Sequence, residues 1–131
     1  MSETAAGTTP VRKEAAMDFL RLVASGKVGE AYRKYVGPEL RHHNAFFKSG
    51  AESLRAAMEE NAAQNPNKVL EIHRALEDGD LVAVHSHIRQ HLDDRGAAVV
   101  HIFRFEGDRI AELWDVGQAV PESSPNELGM F

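Results

Sequence analysis

The sequence predicts an α+β fold shaped as a cone, with three N-terminal helices packed on a strongly curved, mainly antiparallel sheet. Three observations carry this. Apolar residues recur at helical spacing up to Pro66 and at alternating spacing after it. The alternating segments are joined by turns too short for anything but antiparallel neighbours. Helical and strand-like segments are segregated along the chain, which argues against a parallel doubly wound sheet. The 131 residues suit one domain, large enough to bury about two-thirds of its unfolded surface. We place that single domain at 10–131. Residues 1–9 are small and polar and read as a disordered leader.

The first helix starts with Thr9 as its cap and Pro10 as its first helical residue. Its apolar stripe is Ala15, Ala16, Phe19, Leu20 and Val23, and Gly26 stops it. The second helix carries Val28, Ala31, Tyr32, Tyr35 and Val36 on one face and is closed by Gly37-Pro38. A short strand fits Leu40–His43. The third helix opens on Ser49-Gly50-Ala51-Glu52, which has the form of a capping box. Leu54, Ala57, Met58 and Ala62 are its apolar face, and Asn65-Pro66-Asn67 ends it. Four strands follow, at 68–76, 81–91, 97–105 and 110–118, separated by turn residues such as Asp78-Gly79 and Gly107-Asp108.

Composition narrows the function classes. Lys plus Arg is 15 against 20 for Asp plus Glu, a net charge of −5 with no basic run, which speaks against nucleic-acid binding. Cysteine is absent, so disulfides, thiolate metal sites and cysteine nucleophiles are excluded. No stretch approaches the roughly 18 apolar residues of a membrane span, and the N-terminus lacks the apolar core of a signal peptide, so a cytoplasmic location is expected. Histidine is the conspicuous residue, with seven copies.

Alternation sorts the polar residues by face. In the second long strand, His85, His87 and Arg89 share one face with Leu81 and Ala83, while Val82, Val84 and Ser86 share the other. An odd-numbered loop around Gly107-Asp108 pairs Phe105 with Ala111, Phe103 with Leu113 and His101 with Asp115. An even loop sends His101 and Asp115 to opposite faces. The odd register matches apolar with apolar and is the one expected. It makes His101 and Asp115 a polar pair in an apolar wall, able to move a proton near neutral pH or to stand as a buried salt bridge.

The stretches Val99-Val100-His101-Ile102-Phe103-Arg104-Phe105-Glu106 and Glu112-Leu113-Trp114-Asp115-Val116 resemble the SnoaL-like polyketide cyclase family of the nuclear transport factor 2-like superfamily. Leu40-Arg41-His42-His43-Asn44, the hairpin Leu76 to His85, and the tail from Gln118 to Phe131 are similar too. The resemblance covers roughly residues 14–131. It implies a cone that dimerises through its sheet. It also implies a cofactor-independent intramolecular aldol closure, carried by the residues matching His101 and Asp115. Ala45 stands where relatives often have proline.

On that reading Asp115 is general base and acid, and His101 donates to an oxygen or holds the aspartate. His43, Asn44, His85, Tyr32, Phe103 and Trp114 are the candidate substrate-binding groups. The partner is a small apolar or carbonyl-containing molecule, with neither cofactor nor metal required. Two rivals stand beside it. A non-catalytic module could bind a small ligand in the same pocket. His85 and His87, alternate residues on a strand, could begin a metal site, although the glutamate completing such a motif is missing. His42, His73 and His91 read as solvated.

Overall fold

The computed structural model describes residues 11–131. The leader and the Thr9 and Pro10 cap lie outside them. Helix α1, Arg12–Ala24, buries Ala16, Phe19 and Leu20. It ends as its sequence requires. Gly26 takes φ +86°, Lys27 N–H donates to Leu22 O at 2.8 Å, and Gly26 N–H donates to Val23 O at 3.1 Å. This left-handed glycine closure satisfies the last carbonyls of the helix. Helix α2, Val28–Tyr35, buries Val28, Ala31 and Tyr32.

Two local expectations are corrected. Gly37-Pro38 is not where α2 closes: the helix ends at Tyr35, and Val36, expected on its apolar face, already belongs to a strand. Strand β1 runs from Val36 to His42, longer than expected and starting earlier. Proline is tolerated because β1 is an edge strand, paired only with the last strand. The capping box is also not made. Helix α3, Ala51–Gln64, has Gly50 at its N-cap with φ +106° and no side-chain cap. The third helical residue is therefore Ser53 rather than Glu52, and Ser53 Oγ donates back to Gly50 O at 3.2 Å.

Strands β2 (Val69–Asp78), β3 (Leu81–Arg89), β4 (Ala97–Glu106) and β5 (Arg109–Ala119) form the meander. The sheet order is β1-β5-β4-β3-β2, antiparallel throughout except for the parallel pair β1–β5. At the end of the sheet that carries the Gly79 and Gly107 turns, Arg12 donates to Gly107 O from Nε at 3.1 Å and to Gly79 O from Nη1 at 3.0 Å, tying α1 to both.

The register between β4 and β5 combines the two readings of the loop. The turn itself is even: Glu106 faces Arg109 and Phe105 faces Ile110, not Ala111. The register then shifts, leaving Ala111 unpaired, and Arg104 faces Glu112, Phe103 faces Leu113 and His101 faces Asp115. A one-residue bulge thus restores the predicted pairing, and lets Ile110 and Leu113, three residues apart, both enter the core. A second bulge sits at His73, between the pairs Ile72–Ser86 and Arg74–His85. The inner face reads in rows across the sheet. Phe105–Ile110 lies next to the Gly107 turn, followed by Val82–Phe103–Leu113, Val84–His101–Asp115 and Ser86–Val99–Gly117. The first two rows are fully buried against Phe19 and its neighbours; polarity begins at the third.

Candidate active site

His101 and Asp115 stand opposite each other on the helix-facing side of the sheet. No hydrogen bond or ion pair joins them among the described residues. Asp115 Oδ2 instead accepts a hydrogen bond of 2.9 Å from Asn44 Nδ2. Asn44 is itself fixed at its other end, where Oδ1 accepts from Phe46 N–H at 2.9 Å. It therefore orients the carboxylate, and both ends of its amide are engaged within the chain.

His42 holds that arrangement from behind. Its side chain is only 7% exposed, which corrects the solvated reading. Its Nδ1 accepts from Asn44 N–H at 3.2 Å, and its Nε2 lies 2.7 Å from Lys48 O. A carbonyl can only accept and an amide N–H can only donate, so the ring is neutral with its proton on Nε2. The signal was in the sequence: Leu40 and His42 share a strand face, and Leu40 is core.

The His101 ring lies over Phe103 at 6.1 Å, and its Nδ1 is buried without a partner. Burial pulls its pKa from 6.5 to about 4, against the opposing pull of Asp115. A neutral imidazole at this place is a hydrogen-bond donor and acceptor without charge. The consequence for stability has a definite sign. Below about pH 6.5 the unfolded chain takes up a proton here that the folded chain refuses until about pH 4. Stability is complete above that window and falls through it, by about 3 kcal/mol in all. Burial, and then Arg74 and His73, lower His85 in the same sense. Urea midpoints at pH 7 and pH 5 should therefore converge in part in His101→Phe and less in His85→Gln. The lowered carboxylates Asp18, Asp94 and Glu112 act at lower pH.

The remaining candidates divide by face. Phe103 is core beneath the His101 ring, with no exposed surface. Tyr32 is core as well: it packs 6.0 Å from Phe19, its hydroxyl meets Met58 Sδ at 3.6 Å, and burial raises its pKa. His43, Trp114 and His85 are on the opposite side of the sheet from Asp115, so they do not join it in one site. Trp114 is the alternate neighbour of Asp115 in β5. His43 stacks on Trp114 at 5.0 Å and 4°, and its Nε2 lies 2.6 Å from Glu112 Oε2. Glu112 also accepts from Arg104 Nε at 3.0 Å, and these two contacts, His43 first, lower its pKa.

His85 faces a cavity of about 610 Å³ between the outer sheet and the tail, lined also by Val100, Val116, Gln118 and Met130. His87 is engaged with Arg95 O at 2.7 Å and lies 3.4 Å from Glu71. Phe131 covers His73 and His87 with ring separations of 4.7 and 4.5 Å. Among the described residues, no three His, Asp or Glu side chains are placed to hold a metal ion. None of the helices among these residues is long and apolar enough to cross a membrane.

Comparison with solved structures agrees with this architecture. A nuclear transport factor 2-like protein of unknown function from Cytophaga hutchinsonii superposes with a TM-score of 0.68 at 15% identity, over 85% of this chain and 93% of its own. A polyketide cyclase candidate from Acidithiobacillus ferrooxidans gives 0.64 at 19% identity, over 89% and 91%. AclR, a hydroxylase candidate from Streptomyces galilaeus, gives 0.67 at 18% identity, over 82% and 88%. At such identities the likeness establishes the fold alone. No curated protein matches the sequence. The model of the SnoaL-like domain matches residues 16–113, about three quarters of the length. By fold and by that match, the chain belongs to the SnoaL-like domain family.

Proposed function

We propose that this chain is a cofactor-independent acid–base enzyme acting on a small carbonyl-containing molecule, in an aldol-cyclisation or isomerisation type of reaction. The observation that carries the reading is a carboxylate held in place by Asn44 beside a neutral, unpartnered histidine, with apolar rows toward the core. Asp115 takes a proton from carbon next to the substrate carbonyl. An N–H of His101 donates to the carbonyl oxygen as negative charge develops there, which is where a preorganised donor lowers the barrier most. The resulting enolate carbon attacks a second carbonyl to close a ring, or is reprotonated at another carbon. Asp115 returns its proton to the new alkoxide or carbon, and the charges balance.

Exchange of α-hydrogens in heavy water tests this without knowledge of the natural substrate. A panel of aryl ketones followed by proton NMR should lose its α-hydrogen signal faster with the protein than with buffer. Saturable binding of the ketones with no exchange would leave the non-catalytic binding module as the reading.

The outer sheet face is proposed as the surface of a homodimer. Val116 is 63% exposed there, beside the stacked Trp114 and His43. An apolar side chain so placed gains by burial against a second copy. Sedimentation velocity should give twice the chain mass, and Val116→Lys should give the monomer mass.

A further inference from the structure

One buried hydroxyl has no use in the acid–base scheme. Ser86 is fully buried on the inner face, and its Oγ has no hydrogen-bond partner. It is the diagonal neighbour of His101, since Val84 pairs with His101 and Ser86 pairs with Val99. Diagonal neighbours in an antiparallel pair lie within reach of a common ligand. Two unpartnered polar atoms, Ser86 Oγ and His101 Nδ1, thus sit on adjacent strands of one wall.

The row that holds Ser86 is otherwise made of small or apolar residues. Val99 stands beside it, and Gly117 stands beyond, two residues along the same face from Asp115. A Cβ built at Gly117 would meet only Val99 Cγ2 at 3.4 Å and Ala98 O at 3.5 Å, with no helix atom within 4 Å. The backbone does not demand glycine here, as no left-handed φ is involved. A methyl at Gly117 would stand in ordinary contact with Val99 and Ala98, so the row is shorter by one side chain at its exposed end.

We propose that Ser86 is a specificity-determining residue. In this assignment the row Ser86–Val99–Gly117 forms a subsite beside His101 and Asp115 that receives a second oxygen, hydroxyl or carbonyl, of the substrate. The inference rests on the acid–base reading of the site. An unmade hydrogen bond on a buried hydroxyl costs about 1–3 kcal/mol, and a ligand oxygen recovers it. An analogue without that oxygen leaves the hydroxyl orphaned, so the site discriminates between the two. The ligand class is a small, largely apolar ketone with a further oxygen a few bonds from its carbonyl.

Acetophenone and meta-hydroxyacetophenone are a matched pair of probes, read by NMR chemical-shift titration of the Val99 amide. Wild-type protein should prefer the hydroxylated probe by about tenfold, and Ser86→Ala should remove that preference while still binding acetophenone. Ser86→Ala should also melt no lower than wild type, because it deletes an unpaired group. Equal affinities in wild-type protein, or a preference that survives in Ser86→Ala, would overturn the subsite while leaving the acid–base site standing. A Ser86→Ala variant that melts much lower would show a structural hydrogen bond and overturn it too. Wild-type protein that neither binds the probes nor exchanges their α-hydrogens would remove the acid–base reading, and the subsite with it.

Discussion

Asp115→Asn should slow α-hydrogen exchange by about 10²- to 10⁴-fold, the range for losing a positioned general base. It should leave the melting temperature close to that of wild type. The substitution keeps shape and keeps an oxygen to accept from Asn44 Nδ2, which now holds Asp115 Oδ2 at 2.9 Å. No ion pair of Asp115 is broken among the described residues, so little folding energy is at stake. The variant has a second readout. The aspartate charge raises the His101 pKa against the effect of burial. Removing it should move the His101 titration further down, visible in the ring proton shifts. An active Asp115→Asn variant would transfer the base role elsewhere. An inactive one with an unmoved His101 titration would mean that the two groups do not sense each other.

Gly96→Ala should be the most destabilising glycine-to-alanine change among the described residues, by about 3 kcal/mol or more, with a melting temperature lower by about 10 °C. Gly96 has φ +73°, and a Cβ there would stand 2.1 Å from Ile88 O and 2.7 Å from Arg89 Cγ. The residue cannot move away, because its carbonyl accepts from Val120 N–H at 2.9 Å and its N–H is bound by Asp94. Gly50→Ala is the matched comparison. Gly50 also has a left-handed φ, +106°, but a Cβ there meets nothing within 4 Å. With ψ 153° it lies in the extended positive-φ region, so it should cost the backbone strain alone, about 1–3 kcal/mol, without the added clash of Gly96. Equal losses in the two variants, measured by urea denaturation, would mean that the Ile88 contact relaxes freely.

The sequence made some features legible and hid others for physical reasons. The meander could be read because each strand alternates and each turn carries glycine or aspartate, and all four strands stand within two residues of expectation. Pairing of His101 with Asp115 could be read from matching apolar partners, although the even turn and the Ala111 bulge that produce it could not. A bulge is a compromise between the tightest turn and core packing, and neither is local to Ala111. The outward placement of His85 was hidden because both faces of β3 carry apolar residues: Leu81 and Ala83 on one, Val82 and Val84 on the other. Reading His42 as solvated and His43 as pocket-lining overlooks that, in a strand through Leu40–His43, His42 shares the face of core Leu40 and His43 takes the other. The unpartnered Ser86 hydroxyl and the hydrogen bond from Asn44 to Asp115 arise only once the strands are assembled.

The bulge at Ala111 has a consequence for how this hairpin tolerates changes of length. Between Phe105 and Asp115 the chain keeps a parity: one surplus residue beyond a two-residue turn. Deleting or inserting a single residue there leaves composition and hydrophobicity almost untouched, yet it exchanges the two sides of β5. Glu112 and Trp114 would be turned toward the helices, and Leu113 and Asp115 toward the outside. A change of two residues preserves the sides and alters only length. Viable length variants of this hairpin should therefore come in even steps, and an odd step should survive only where a new bulge has formed elsewhere in β5.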